Sequence, residues 1–118
     1  MCLTWTLVFF ETANGKRPVE EYLAKLGTKE KVRVRFGLEL LEQLGLELRA
    51  PHVKSMGNKL WELRIRGQRQ HRIFYFAFTG KTLILLHAFT KKTQQTPAAE
   101  KETAIRRMND WKERMSQE

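Results

Sequence analysis

The side chains best suited to chemistry are nine cations that fall between Lys54 and Lys92: Lys54, Lys59, Arg64, Arg66, Arg69, Arg72, Lys81, Lys91 and Lys92. A single acid, Glu62, opposes them, so this 39-residue stretch carries a net charge of +8. The remaining 79 residues hold thirteen bases and twelve acids, and almost the whole +9 of the chain therefore belongs to one segment. In the run LWELRIR, a two-residue period puts Arg64 and Arg66 on one face of a strand about 6–7 Å apart, a separation that lets them grip successive phosphates of a single strand. Lys91 and Lys92 stand where the last apolar run ends, and Lys54 and Lys59 stand in a loop that leads into the first of the basic strands.

Alternating charge on a strand is also what an ordinary solvated face looks like. Two features favour a surface for a polyanion. A solubilising face mixes signs, because like charges side by side on a strand repel, whereas this one has nine bases for one acid. Arg also outnumbers Lys at the strand positions, and its planar fork of donors matches phosphate.

That charge pattern limits the possible chemistry. The segment contains no Ser-His-Asp or Cys-His arrangement, no glycine-rich phosphate loop and no pair of carboxylates for two-metal phosphodiester cleavage. RNA, however, supplies its own nucleophile in the 2′-OH. A metal-free ribonuclease needs a group to assist 2′-OH deprotonation, cations to offset charge on the scissile phosphate, and a donor for the leaving 5′-oxygen. Arg and Lys meet the second need directly. Lysine meets the others only where burial and neighbouring cations lower its pKa. His87 sits among Leu85, Leu86 and Phe89, a setting that suits a hydrogen-bonded core residue or a site residue; His71 reads as capping the start of its strand. Tyr75 and the series Phe74, Phe76 and Phe78 read as core, with one aromatic on an open face able to stack a base.

The elements that must position these residues follow from hydrophobic period. LTWTLVFF (3–10) alternates like a strand and runs to the turn signal Asn14-Gly15. Pro18 opens a helix in which Glu20 and Glu21 complement the positive end, Val19, Tyr22, Leu23 and Leu26 form a stripe, and Gly27 marks the stop. Thr28 is expected to cap a second helix with Val34, Leu38, Leu41, Leu44 and Leu48 on one side, Gly37 allowing close approach, and an end at Gly45 or Pro51. From Leu60 the period becomes two: LWELRIR, HRIFYFAF and TLILLHAFT read as a meander whose last two strands are apolar on both faces. Thr96-Pro97 then starts a final helix with Ile105, Met108, Trp111 and Met115 on its packed stripe. The predicted order is β-α-α-β-β-β-α, an α+β fold in one domain over 1–118.

Composition sets outer limits. With 42% apolar residues, seven Phe and three Trp, the chain can bury a core. One cysteine, Cys2, and three scattered histidines predict neither a disulfide nor a metal site, and no cofactor is expected. The opening residues lack a basic n-region and a small-residue cleavage site, and no window approaches about 18 apolar residues, so the expected compartment is the cytoplasm with no membrane span. Peripheral membrane binding is disfavoured because the charge lies on strands, not on an amphipathic helix.

LWELRI (60–65), HRIFYF (71–76) and LLHAFTKKTQQTP (85–97), followed by an amphipathic helix, resemble the HigB/RelE-type toxins of bacterial type II toxin–antitoxin systems, especially the HigB-like, phage-associated branch. The resemblance runs from the first strand to Trp111, and its most specific part is the F-x-K-K-x-x-x-x-P segment from Phe89 to Pro97. It implies a RelE-like fold with a four-stranded, mainly antiparallel sheet packed by helices. The implied activity is a metal-independent endoribonuclease that cuts mRNA in the ribosomal A site. The implied partner is a co-encoded antitoxin, often a helix-turn-helix protein. By the same resemblance the catalytic residues are Arg64, Arg66, Arg72, Lys91 and Lys92; Lys54, Lys59, Arg69 and His87, from their places in and beside the basic stretch, are expected to assist RNA binding. Where some members carry a tyrosine after the basic pair, this sequence has Thr93, Gln94 and Gln95, which leaves Lys91, Lys92 and His87 open as the base. The alternative from a different class is a non-catalytic, phage-derived protein that occupies RNA or DNA with the same basic face.

Overall fold

In the computed structural model, which describes residues 4–92 and 97–116, the chain forms β1 (Thr6–Phe9), α1 (Pro18–Ala24), α2 (Thr28–Leu44), a short 3-10 turn (Gly45–Glu47), β2 (Val53–Gly57), β3 (Leu60–Ile65), β4 (Gln70–Ala77), β5 (Thr82–Lys91) and α3 (Ala98–Ser116). The described residues build one open sheet of five strands in the order β1-β5-β4-β3-β2, with β1 parallel to β5 and every other pair antiparallel. The expected count of four strands is thus corrected to five. The added strand is β2, which reads as a loop in sequence because VKSMG has little apolar alternation. Its hairpin is closed by Asn58 and Lys59, both with positive φ (54° and 65°), between the paired Gly57 and Leu60. That backbone gives a two-residue turn the twist a hairpin favours. Lys54 therefore lies on a strand opposite Glu62, and Lys59 lies in the tight turn.

The helix boundaries follow local chemistry. Pro18 takes the first position of α1 with Glu20 and Glu21 in the first turn. At α2 the cap is Gly27 and Thr28 is already helical, with no side-chain cap bond, which corrects the expected Thr28 cap. Its end at Gly45 has two causes: φ there is +54°, and a Cβ would sit 2.0 Å from the Trp5 indole nitrogen. The expected Thr96 cap of the last helix lies outside the described residues, as do Leu3, Thr93, Gln94 and Gln95.

Helices cover both faces of the sheet. On one face α1 and α2 bury Val19, Val34 and Leu41 against Leu63, Ile65, Ile73 and Tyr75. On the other, α3 lays Ala104 and Met108 over Phe74, Phe76, Ile84 and Leu86, with the large apolar side chains contributing about 1.5–3 kcal/mol each on full burial. Since α3 packs on β5 and β4, the Glu62–Arg64 stretch of β3 on the same face is left to polar groups.

A bulge decides what those groups are. Opposite Phe74 and Tyr75 of β4, strand β5 carries one extra residue, Leu86, so that Tyr75 pairs with Leu85 and Phe74 with His87. Beyond it His87, Phe89 and Lys91 share the α3 face with Phe74, Arg72 and Gln70, while Thr90 turns toward α1.

Candidate functional site

The centre of the site is a buried carboxylate among cations. Arg64 and Arg72 are direct cross-strand partners, a placement that repels unless something lies between them. Glu62 does, fully buried, with Oε1 3.5 Å from the Arg64 Nε and 3.7 Å from the Arg72 Nε. Arg72 is itself only 3% exposed, and two of its other donors are held by the His71 carbonyl at 3.2 Å and the Gln70 side chain at 2.9 Å. Burial lowers its pKa and Glu62 opposes the shift, but a guanidinium stays charged throughout. Arg72 thus holds the floor of the site, and the half-buried Arg64 is free to present donors outward.

Around this floor the structure opens a groove of about 1,540 Å³ lined by Arg64, Arg66, Arg69, Arg72, Lys91 and Lys92. His87 and Glu100 form its wall on the α3 side, and Tyr22 its wall on the α1 side. Seven of the nine residues expected from sequence are therefore brought together. Lys54 stands beside them across from Glu62 and acts electrostatically on Lys91. Lys59 is not brought in: it occupies the hairpin at the opposite end of β3, some 17–20 Å from the groove at the strand's rise per residue.

The Lys91 amine is perturbed as well. Burial lowers its pKa, the neighbouring Arg72 lowers it further, Arg64 and Lys54 add to the effect, and Glu62 opposes it. That is the condition under which a lysine amine exchanges protons nearer neutral pH.

His87 is fully engaged. Its ring stacks at 20° on Phe74 and Phe89. Arg107, which can only donate, reaches Nδ1 at 3.2 Å and the Leu86 carbonyl at 2.9 Å. The ring proton accordingly sits on Nε2 and is donated to Glu100 Oε1 at 2.8 Å. Burial lowers the His87 pKa by more than the Glu100 bond raises it.

A second polar chain lies on the α1 side. His71, 2% exposed, faces Glu30 Oε1 through Nε2 at 3.1 Å and the Tyr22 hydroxyl through Nδ1 at 2.6 Å, and Tyr22 lies 2.5 Å from the Thr90 hydroxyl. With the Glu30 carboxylate accepting from Nε2, Nδ1 accepts the hydrogen bond of the Tyr22 hydroxyl, and Tyr22 accepts from Thr90. Burial raises the Tyr22 pKa, which fits a phenol that keeps its proton. His71 thus ties two helices to two strands; it does not merely cap a strand.

The sequence alone does not assign Glu62, Glu100, Arg107, Tyr22 or Glu30 to these networks. Only Glu62 carries a signal, its alternation with Arg64 on one face. Stacking of a base on Phe74, Tyr75 or Phe76 is replaced by burial, since all three are 1% exposed or less. Among the described residues, no three His, Cys, Asp or Glu side chains gather into a group that could hold a metal ion, and no helix is long and apolar enough to cross a membrane.

None of the curated proteins matches the chain. A family model does: residues 21–109, from α1 through most of α3 and including every cation of the groove, match the family described as phage derived protein Gp49-like (DUF891). This family is associated with the toxins of toxin–antitoxin systems, its toxins are generally nucleases, endoribonucleases among them, and membership implies a cognate antitoxin. With a match over most of its length that takes in the whole site, the chain belongs to the phage-derived Gp49-like family, a RelE/HigB-like toxin family.

Proposed function

We propose that this protein is a HigB-like toxin of a type II toxin–antitoxin pair and acts as a metal-independent mRNA endoribonuclease on the ribosome. The observation that carries this reading is the cationic groove built around buried Glu62, in which Arg64, Arg66, Lys91 and Lys92 surround one space. Arg64 and Arg66 hold the scissile phosphate and offset the charge it gains as the 2′-oxygen adds to phosphorus. Lys91, its pKa lowered by burial and by Arg72, takes the 2′-OH proton, and Lys92 gives a proton to the departing 5′-oxygen. The P–O5′ bond breaks, leaving a 2′,3′-cyclic phosphate and a 5′-OH. Lys54 and Arg69 extend the phosphate track, while Arg72 and His87 position the floor and wall.

An open groove of this kind fixes the backbone without reading a base, so the ribosomal A site supplies substrate alignment in the cytoplasm. A co-encoded helix-turn-helix antitoxin supplies restraint. One observation favours the non-catalytic alternative: both ring nitrogens of His87 and two of the Arg72 donors are already bonded within the protein. Adding the purified protein to a translating extract and mapping message ends separates the two. New 5′-OH ends within ribosome-bound messages are expected; arrested translation with every message intact would establish the occluding alternative instead.

A further inference from the structure

Helix α2 carries two apolar stripes where a helix on a sheet needs one. The first, Val34 and Leu41, is buried in the core. The second runs Val32, Phe36, Leu40 and Leu44 at four-residue spacing, and Val32, Phe36 and Leu44 are 63%, 61% and 39% exposed. This stripe flanks an apolar groove of about 730 Å³ between α2 and β3, floored by Leu40, Leu63 and Ile65. Gly37 keeps the groove deep, since a Cβ there would come within 3.3 Å of Ile65. The charged lining residues are Lys29, Arg33, Arg64 and Arg66, with no carboxylate among them.

We propose that this groove is the docking site of the cognate antitoxin, which inserts an amphipathic helix with an apolar stripe and acidic edges. The stripe spans thirteen residues, a rise of about 18 Å along the helix, enough to hold three turns of a partner helix by groove packing. Apolar depth argues against RNA as the occupant. The cationic rim argues against a second copy of this chain, whose own stripe is flanked by the same cations. Acidic edges satisfy the rim.

The groove also shares Arg64 and Arg66 with the RNA site. Carboxylates seated on these two guanidinium groups take them from the phosphates, so docking on α2 inhibits without covering the sheet. This inference rests on the toxin reading above for the identity of the partner.

The test uses the chain together with the product of the reading frame adjacent to its own. Val32→Asp and Phe36→Asp change exposed side chains, and melting temperatures identical to the parent would show that both variants fold. Each is expected to weaken the complex at least tenfold by titration calorimetry while RNA binding stays unchanged, and the parent complex is expected to lose at least tenfold in RNA affinity. A photo-crosslinking amino acid at position 36 should label a helical, acid-flanked segment of the partner. Unchanged affinity in both variants overturns the proposal, as does a crosslink to a second copy of this chain. The readouts need no cleavage, so a chain that binds its partner this way yet cuts no message overturns the toxin mechanism alone, and one that cuts messages but binds elsewhere overturns only the docking site.

Discussion

Arg64 and Arg72 face each other directly across two antiparallel strands, and the buried Glu62 lies 3.5 and 3.7 Å from their Nε atoms. The sheet can hold cations at this density only because one carboxylate is built into the floor. Replacing it by Glu62→Gln leaves a buried guanidinium unpaired, and a loss of about 3 kcal/mol in unfolding free energy is expected. The double variant Glu62→Gln/Arg72→Met should recover part of that loss, since it removes the stranded charge. Urea denaturation of the parent and both variants checks this; equal midpoints would mean that Glu62 stabilises nothing.

Lys91 gives the site a pH signature. Burial and then Arg72 lower its pKa, and Lys54 contributes in the same direction. If its neutral amine takes the 2′-OH proton, cleavage rises with pH until that lowered pKa is passed. Lys54→Ala removes one repelling charge, raises the Lys91 pKa and moves the rising limb to higher pH. Single-turnover cleavage across pH 6 to 10 reads the displacement. A limb that stays in place in Lys54→Ala, or survives in Lys91→Ala, assigns the proton transfer to another group.

Much of this arrangement was legible in the sequence. Proline at 18 and glycines at 27 and 45 punctuate the helices, and alternation from Leu60 marks three strands. Strand β2 was not legible, because VKSMG owes its place to pairing with β3 and not to its own pattern. The bulge at Leu86 was invisible for a related reason. A straight two-residue period from Leu83 and Leu85 carries His87, Phe89 and Lys91 onto the α1 side, and the extra residue moves all three beside Arg72. The cations of the site could be named from type and spacing alone. The reach of Glu62 to Arg72, and the contacts of Glu100 and Arg107, span 10 to 21 residues and are encoded by no local signal.

The hairpin turn offers a clean separation of stability from function. Lys59 holds φ at 65°, a left-handed conformation that costs a residue with a Cβ roughly 1–2 kcal/mol. Lys59→Gly relieves it, and a rise of about 3–6 °C in melting temperature per kcal/mol is expected for a domain whose size lies between the 100- and 150-residue scales. Because Lys59 lies at the far end of β3 from the groove, RNA affinity should not change. A loss of affinity comparable to that of Arg66→Ala would extend the interface to the hairpin.

His87 contributes stability with a definite sign. Its pKa is lowered in the fold, chiefly by burial. Between that value and the ordinary one near 6.5, the unfolded chain binds more protons than the folded chain. Stability from this group is therefore complete above about pH 6.5 and is lost as pH falls through the folded value. Melting temperatures from pH 7.5 to 5 should decline in the parent and decline less in His87→Asn. Parallel curves would show that other groups carry the acid sensitivity.

The chain of Glu30, His71, Tyr22 and Thr90 predicts a coupling and not just a loss. Tyr22→Phe removes the hydrogen that His71 Nδ1 accepts at 2.6 Å, leaving a buried acceptor unpaired at a cost of about 1–3 kcal/mol. His71→Ala removes the acceptor as well as the tie to Glu30. If the four groups act as one network, the double variant is less destabilised than the sum of the singles by at least about 0.5 kcal/mol. Thr90→Val, which spares the His71 contact and removes only the last donor, should cost less than Tyr22→Phe. Strict additivity between Tyr22→Phe and His71→Ala would mean that the two side chains are neighbours in space and independent in energy.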